Sequence, residues 1–147
     1  MRTLSAVLAL CLAISVSAQT PIDFTGHWRQ QSNSATQREM DVEQKGSSLR
    51  VKSVVTNSAG TRTLEVKYEI GGSATTYTGL DGDEFRSAVH WDGNALVFDT
   101  IEREDASEIP QKATWTLSAD SNTLQVDRQV TKSGKTMHSV TSYVRQR

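Results

Sequence analysis

The sequence predicts an all-β protein, a single closed antiparallel up-and-down barrel of about eight to ten strands that follows an N-terminal signal peptide. Short segments alternate apolar and polar side chains with a period of two, which is typical of strands that bury one face. The gaps between these segments are short and rich in Gly, Ser, Asn and Asp, which favour tight turns between neighbouring strands. An open meander leaves two free edges, and closure into a barrel removes both of them.

The strands follow one another along the chain with short turns between them. The clearest alternation runs from Leu64 to Ile70, where every second side chain is apolar. The predicted strands span residues 24–31, 37–44, 49–57, 61–70, 74–78, 85–91, 95–104, 112–118, 123–131 and 135–145. The turns include Gly46-Ser47-Ser48, Ser58-Ala59-Gly60, Gly71-Gly72, Asp92-Gly93-Asn94, Asp120-Ser121-Asn122 and Ser133-Gly134. A β-sandwich is the alternative, but its Greek-key crossings need longer connections than most of these gaps provide.

Residues 1–18 are predicted to form a cleavable signal peptide. Arg2 supplies a positive charge, residues 4–16 form an apolar run, and Val16-Ser17-Ala18 places small or β-branched residues before the cleavage site. The apolar run is shorter than the roughly 20 residues that span a bilayer. We therefore expect an exported protein, periplasmic or secreted, whose barrel domain covers residues 19–147 and has no integral membrane segment.

The composition excludes several classes of function. The chain has 16 Lys and Arg against 17 Asp and Glu, and it contains no basic cluster. Nucleic acid is therefore not an expected partner, because phosphate binding needs clustered positive charge. Cys11 is the single cysteine and lies in the predicted leader. The mature chain is thus expected to lack disulfides, thiol nucleophiles and thiolate metal ligands.

No catalytic or metal-binding arrangement is predicted. His27, His90 and His138 lie on three different predicted strands, without the close spacing that is usual for metal ligands. The acidic segments 81–84 and 102–108 are interpreted as solvated turns and loops, since the first lacks the complete ligand set of a calcium loop. No serine lies in a Gly-x-Ser-x-Gly elbow. We therefore predict neither an enzyme nor a bound cofactor.

A short motif lies near the start of the predicted barrel, where Gly26-His27-Trp28 follows Phe24 on the first strand, and Tyr143 and Arg145 lie on the last strand. This combination resembles the calycin superfamily, which contains the lipocalins, the fatty-acid-binding proteins and the avidins. The chain is also similar to small secreted bacterial lipocalin-like proteins that begin Asp-Phe-Ser/Thr-Gly-x-Trp. The resemblance implies that the Trp28 indole packs across the closed end of the barrel, under the Arg145 guanidinium.

The sequence departs from the fatty-acid-binding proteins at two places. Those proteins carry a helical lid between the first two strands, whereas residues 32–36 leave room only for a turn. They also carry an Arg-x-Tyr pair on the last strand that binds a carboxylate, and this chain has Thr141 and Tyr143 there. The usual carboxylate clamp is therefore incomplete.

A ligand inside the barrel is the leading functional hypothesis, because barrels of eight or more strands can enclose one small molecule. Arg128 shares strand parity with apolar neighbours, so its guanidinium is expected to face inward and to meet an anionic ligand, a structural partner or solvent. Arg128 and Tyr143 together are predicted to hold an acidic group. The candidate lining residues are Val66, Tyr68, Phe98, Trp115, Val126, Arg128 and Tyr143. The alternative is a secreted interaction or inhibitor module with a packed barrel and no ligand.

The predicted leader is tested by the intact mass of the exported protein. Cleavage after Ala18 should give a chain that begins with Gln19. A mass that retains residues 1–18, or one that carries a lipid on Cys11, would contradict the prediction.

Overall fold

A computed structural model describes residues 22–147. These residues form ten antiparallel strands and no helix, which confirms the predicted all-β meander. No segment of the described chain is a helix that could cross a membrane. The predicted signal peptide lies outside the described residues.

All ten predicted strands are present, with most ends within two residues of the prediction. The strands are β1 (Gly26–Gln30), β2 (Gln37–Lys45), β3 (Ser48–Asn57), β4 (Gly60–Glu69), β5 (Thr75–Thr78), β6 (Glu84–Asp92), β7 (Ala95–Glu104), β8 (Ser107–Leu117), β9 (Thr123–Lys132) and β10 (Lys135–Gln146). The largest difference is at β8, which begins five residues before the predicted start at residue 112. Pro110 lies in this added part, where β8 pairs with β7 but not yet with β9, and proline is tolerated at such edge positions.

The strands form one sheet in the order β4-β3-β2-β1-β10-β9-β8-β7-β6-β5. The first and last strands pair with each other, Trp28 opposite Arg145, and this ladder joins the two ends of the described meander. The sheet therefore curves into a barrel whose two remaining edges, β4 and β5, face one another.

The contact between β4 and β5, here called the seam, is not a regular ladder. Ile70, just after β4, forms a single parallel bridge with Val89 of β6. The Thr75 hydroxyl donates to the Lys67 carbonyl at 3.1 Å, and Arg62 donates to the Leu80 carbonyl at 2.9 Å. The barrel is thus nearly closed, with isolated hydrogen bonds in place of the continuous ladder that full closure would give.

A cluster of aromatic and aliphatic side chains fills the end of the barrel where β1 begins. Phe24 and Trp28 are fully buried, as are Leu49, Leu96 and Leu124. The Phe24 ring lies 6.0 Å from the rings of both Trp91 and Trp115. The Trp28 indole donates to the Phe24 carbonyl at 3.0 Å, so its buried N–H is satisfied. This packing makes the end of the barrel solid.

Arg145 covers the Trp28 ring at this closed end. The guanidinium carbon lies 4.3 Å from the ring centre. The same side chain donates hydrogen bonds to the carbonyls of Thr25 and Ser121. A Cβ atom on Gly26 would collide with the Arg145 guanidinium. Glycine is therefore required at position 26 because the arginine passes directly over the backbone.

Replacing Trp28 with alanine should destabilise the protein by about 3 to 5 kcal/mol, since the change removes buried contacts and leaves a cavity. Urea unfolding measures the loss. Val140 is half exposed on β10, so Val140→Ala serves as the control and should cost less than about 1 kcal/mol. Equal unfolding midpoints for Trp28→Ala and the parent would contradict the role assigned to the indole.

Candidate functional site

A cavity of about 340 Å³ lies in the half of the barrel opposite Trp28. The strand ends around it are those joined by the β1–β2, β3–β4 and β5–β6 connections. Residues 31–36 join β1 to β2 without a helix, as predicted, so no helical lid covers the opening within the described chain. The cavity is therefore accessible from one end and blocked at the other by the core.

Apolar side chains form most of the cavity wall, and aromatic rings form its floor. The wall includes Val51, Val55, Leu64, Val66 and Phe85. In the floor, the Phe98 ring lies 4.7 Å from Trp115 and 5.4 Å from Tyr68, measured between ring centres. Trp115 also contacts Phe24 of the core. The floor is thus continuous with the packed end of the barrel.

Two arginines lie at the opening, Arg38 on β2 and Arg128 on β9. Arg128 donates a hydrogen bond to the Gln111 side-chain oxygen, and the Gln111 amide in turn donates to Glu102. Gln111 therefore links a cation on β9 to a carboxylate on β7. Among residues 22–147, no carboxylate forms a salt bridge with either arginine.

Three carboxylates meet next to the Gln111 side chain, through which Glu102 is linked to Arg128. Oxygens of Asp81, Asp83 and Glu102 all lie within 4.8 Å of one another. Burial raises the pKa of the Glu102 carboxyl, and the two aspartates raise it further, while Arg128 opposes them. Glu102 belongs to β7 on its interior face, so the interpretation of residues 102–108 as a solvated loop is wrong at this position.

A small group of hydroxyls interrupts the apolar wall. The Ser87 hydroxyl on β6 lies 2.7 Å from that of Thr100 on β7 and 3.2 Å from that of Tyr77 on β5. Tyr68 packs edge to face against Tyr77, and burial raises the pKa of Tyr68 far above its ordinary value. The Tyr68 phenol is therefore neutral at physiological pH.

The shape of this barrel is shared with solved structures of low sequence identity. A secretory abundant heat soluble protein from Ramazzottius varieornatus matches with a TM-score of 0.64 at 14% identity, over 89% of this chain and 100% of the other. As-p18, an extracellular fatty acid binding protein, matches with a TM-score of 0.63 at 10% identity, over 86% of this chain and 98% of As-p18. A zebrafish ileal bile acid-binding protein complexed with cholic acid matches with a TM-score of 0.59 at 12% identity, over 84% of this chain and 98% of the zebrafish protein.

These likenesses show that the chain shares its barrel fold with the three proteins. The resemblance inferred from Gly26, Trp28 and Arg145 is confirmed at the level of the fold. No family model and no curated protein matches the sequence.

The barrel brings five of the seven predicted lining residues to the cavity: Val66, Tyr68, Phe98, Trp115 and Arg128. Val126 and Tyr143 do not line it. Tyr143 is buried in the core opposite Leu124, and Val126 pairs with Trp115 and packs against the core. Both side chains face inward, as predicted, and pack in the core.

The predicted pairing of Arg128 with Tyr143 is also not formed. Along the β9–β10 ladder Arg128 lies opposite Ser139, four residues from Tyr143. At about 3.3 Å per residue, this register separates their backbones by roughly 13 Å. The two side chains form no direct hydrogen bond, although the charges of Arg38 and Arg128 both oppose the rise that burial causes in the pKa of Tyr143.

Arg38 and Gln111 are site residues that sequence reasoning missed. Arg38 alternates with Met40 and Val42 on β2, and Gln111 alternates with Ala113 and Trp115 on β8, both with a period of two. The parity argument that selects Arg128 applies equally to Arg38. Gln111 lies just before the predicted start of β8 at residue 112, so parity does not extend to it.

The raised pKa of Glu102 predicts how stability depends on pH. Ionised Glu102 costs stability in the folded chain, so the cost is absent below the unfolded pKa of roughly 4.3 and grows as pH rises through the folded pKa. Glu102→Gln should therefore stabilise the protein at pH 7, by less than about 1 kcal/mol because the group is partly solvated, and leave it unchanged at pH 3. Urea unfolding at both pH values measures this.

Glu108 provides the control for this measurement, since it is exposed and pairs with Arg103 on the outer surface. Glu108→Gln removes the same charge from an exposed position, where burial does not destabilise the ionised form. It should therefore not stabilise the protein at pH 7. An equal gain from Glu102→Gln at pH 3 and pH 7 would contradict the assigned cause.

Proposed function

We propose that this protein is an exported carrier that holds one small, mostly apolar molecule with an acidic group. The observation that supports the proposal most directly is the cavity itself, which is closed below by aromatic rings and has two arginines at its opening. Its volume lies within the range of small-molecule sites. The apolar body would lie against the wall, with the acidic group at the arginines.

The two arginines are not equivalent in this proposal. Arg128 is already linked through Gln111 to Glu102. Arg38 forms no salt bridge or side-chain hydrogen bond with any described residue, although it lines the same opening. The strongest attraction on an incoming anion would therefore come from Arg38. Arg128 would attract the anion at longer range, and the negative charge of Glu102 would partly offset that attraction.

Two of the structural neighbours support the general class of ligand. One is named as an extracellular fatty acid binding protein and another is solved with cholic acid. Both names describe binding of apolar acids by barrels of the same shape. For this chain, the predicted leader supports export.

The alternative of a packed interaction module has less support, because it requires a barrel that is filled by its own side chains. Only the half around Phe24 and Trp28 is filled. Above the aromatic floor the described side chains line an open space. The observed cavity therefore favours the carrier over the packed module.

Two fluorescent dyes test the proposal, because they share their rings and differ in charge. 8-Anilinonaphthalene-1-sulfonate carries a sulfonate, and N-phenyl-1-naphthylamine is its neutral counterpart. Arg38→Met should weaken binding of the sulfonate dye by about three- to tenfold, since both arginines are exposed and a charged hydrogen bond is weaker in water. Binding of the neutral dye should change less than twofold. Arg128→Met should show the same selectivity with a smaller loss.

Arg86→Met is the matched control, because Arg86 is exposed on β6 and does not line the cavity. It should leave the affinity for both dyes unchanged. Failure of both dyes to bind the parent protein would refute the carrier. Equal losses for the two dyes in Arg38→Met would refute the acidic-ligand component alone.

A further inference from the structure

The cavity contains a second polar locus, which the proposed function does not use. We call Tyr77, Ser87 and Thr100 the hydroxyl patch. Its three side chains come from adjacent strands β5, β6 and β7, and all three line the cavity. On the interior face of β7, Thr100 lies between Glu102 at the opening and Phe98 in the floor. The patch is therefore part-way down the wall and below the charged opening.

Apolar and aromatic groups surround the hydroxyl patch. Ser87 is 2% exposed and is the single polar residue among the buried residues of the described chain. The Phe85 ring stacks on Tyr77, with 5.5 Å between ring centres, and Tyr68 contacts the other side of Tyr77. Hydrogen bonds gain strength in such surroundings because water competes less for the partners.

A count of protons shows that the patch has an unused donor. The three hydroxyls carry one proton each. Two hydrogen bonds connect them, Ser87 with Thr100 and Tyr77 with Ser87, and these use two protons. Tyr68 contacts Tyr77 and brings one further proton and at most one further hydrogen bond, so it leaves the count unchanged. Within residues 22–147 the three side chains have no additional hydrogen-bond partner. One proton therefore remains to be donated toward the cavity, where a hydrocarbon chain offers no acceptor.

From this geometry we infer that the ligand carries an oxygen, as a hydroxyl or keto group, part-way along its apolar body, and that this oxygen accepts a hydrogen bond from the hydroxyl patch. The inference rests on the proposed carrier function and narrows its ligand class. Fully saturated, unsubstituted chains would leave the spare donor unpaired, whereas an oxygenated chain satisfies it. The preferred ligands are thus apolar acids that are oxygenated away from the acid group.

Competition for the neutral dye N-phenyl-1-naphthylamine tests the inference. The competitors are stearic acid, 10-hydroxystearic acid, 12-hydroxystearic acid and 10-oxostearic acid, which share one chain length and one carboxylate. At least one oxygenated acid should bind the parent protein about three- to tenfold more tightly than stearic acid, as expected for one neutral hydrogen bond.

Thr100→Val and Ser87→Ala remove hydroxyls from the patch with little change in volume. Each should reduce the preference for the oxygenated acid to less than twofold, with the affinity for stearic acid changed less than twofold. Tyr77→Phe provides a third test if one of these variants fails to fold. Ser53→Ala is the control, because Ser53 lines the cavity on β3 outside the patch, and it should keep the preference.

The outcomes separate the two proposals. If stearic acid binds as tightly as every oxygenated acid, or if the preference survives in both Thr100→Val and Ser87→Ala, the hydroxyl patch is not a ligand site although the carrier stands. If none of the four acids displaces the dye from the parent protein, the acidic-ligand carrier is refuted and the inference falls with it.

Discussion

The ladder between β1 and β10 is the interaction on which the rest of the structure depends. It sets Trp28 opposite Arg145, and the arginine then crosses Gly26 and covers the indole. Once these two strands pair, one face of the sheet becomes the interior of the barrel and the other becomes its outer surface. Alternate side chains along each of the remaining strands then point into the interior. The cavity is the part of the inside that the large side chains around Trp28 do not reach.

The interior is divided by polarity along the barrel axis. The end around Phe24 holds fully buried apolar groups, whose packing supplies stability. The opposite end holds Arg38, Arg128 and Glu102, which the opening to solvent makes tolerable. Between them lies the hydroxyl patch, whose three hydroxyls are joined by two hydrogen bonds. A molecule entering the barrel would therefore meet charge first, neutral polar groups next, and hydrocarbon last.

Much of the fold could be predicted from the sequence because its determinants are local. Period-two alternation gives each strand, and glycine-containing turns such as Ser133-Gly134 join neighbours, so ten strands and their order follow. Parity also identified which face Arg128 and Tyr143 present. The alternation along a strand does not indicate how far along the barrel axis a side chain lies, because that position depends on register and strand tilt around the whole barrel. Alternation alone therefore predicts that Tyr143 lines the cavity, whereas its side chain is buried in the core cluster and does not line it.

The connectivity of the barrel has a consequence for how it assembles. Every ladder joins strands that are neighbours in sequence, except the one between β1 and β10, where Thr25 and Arg145 are 120 residues apart. The seam has the opposite character, since β4 and β5 are consecutive and yet share no ladder. Contacts between distant residues carry the largest entropic cost of chain closure and form slowly. The β1–β10 ladder is thus expected to be the slowest of the ladders to form, because it joins the two strands that are farthest apart in sequence.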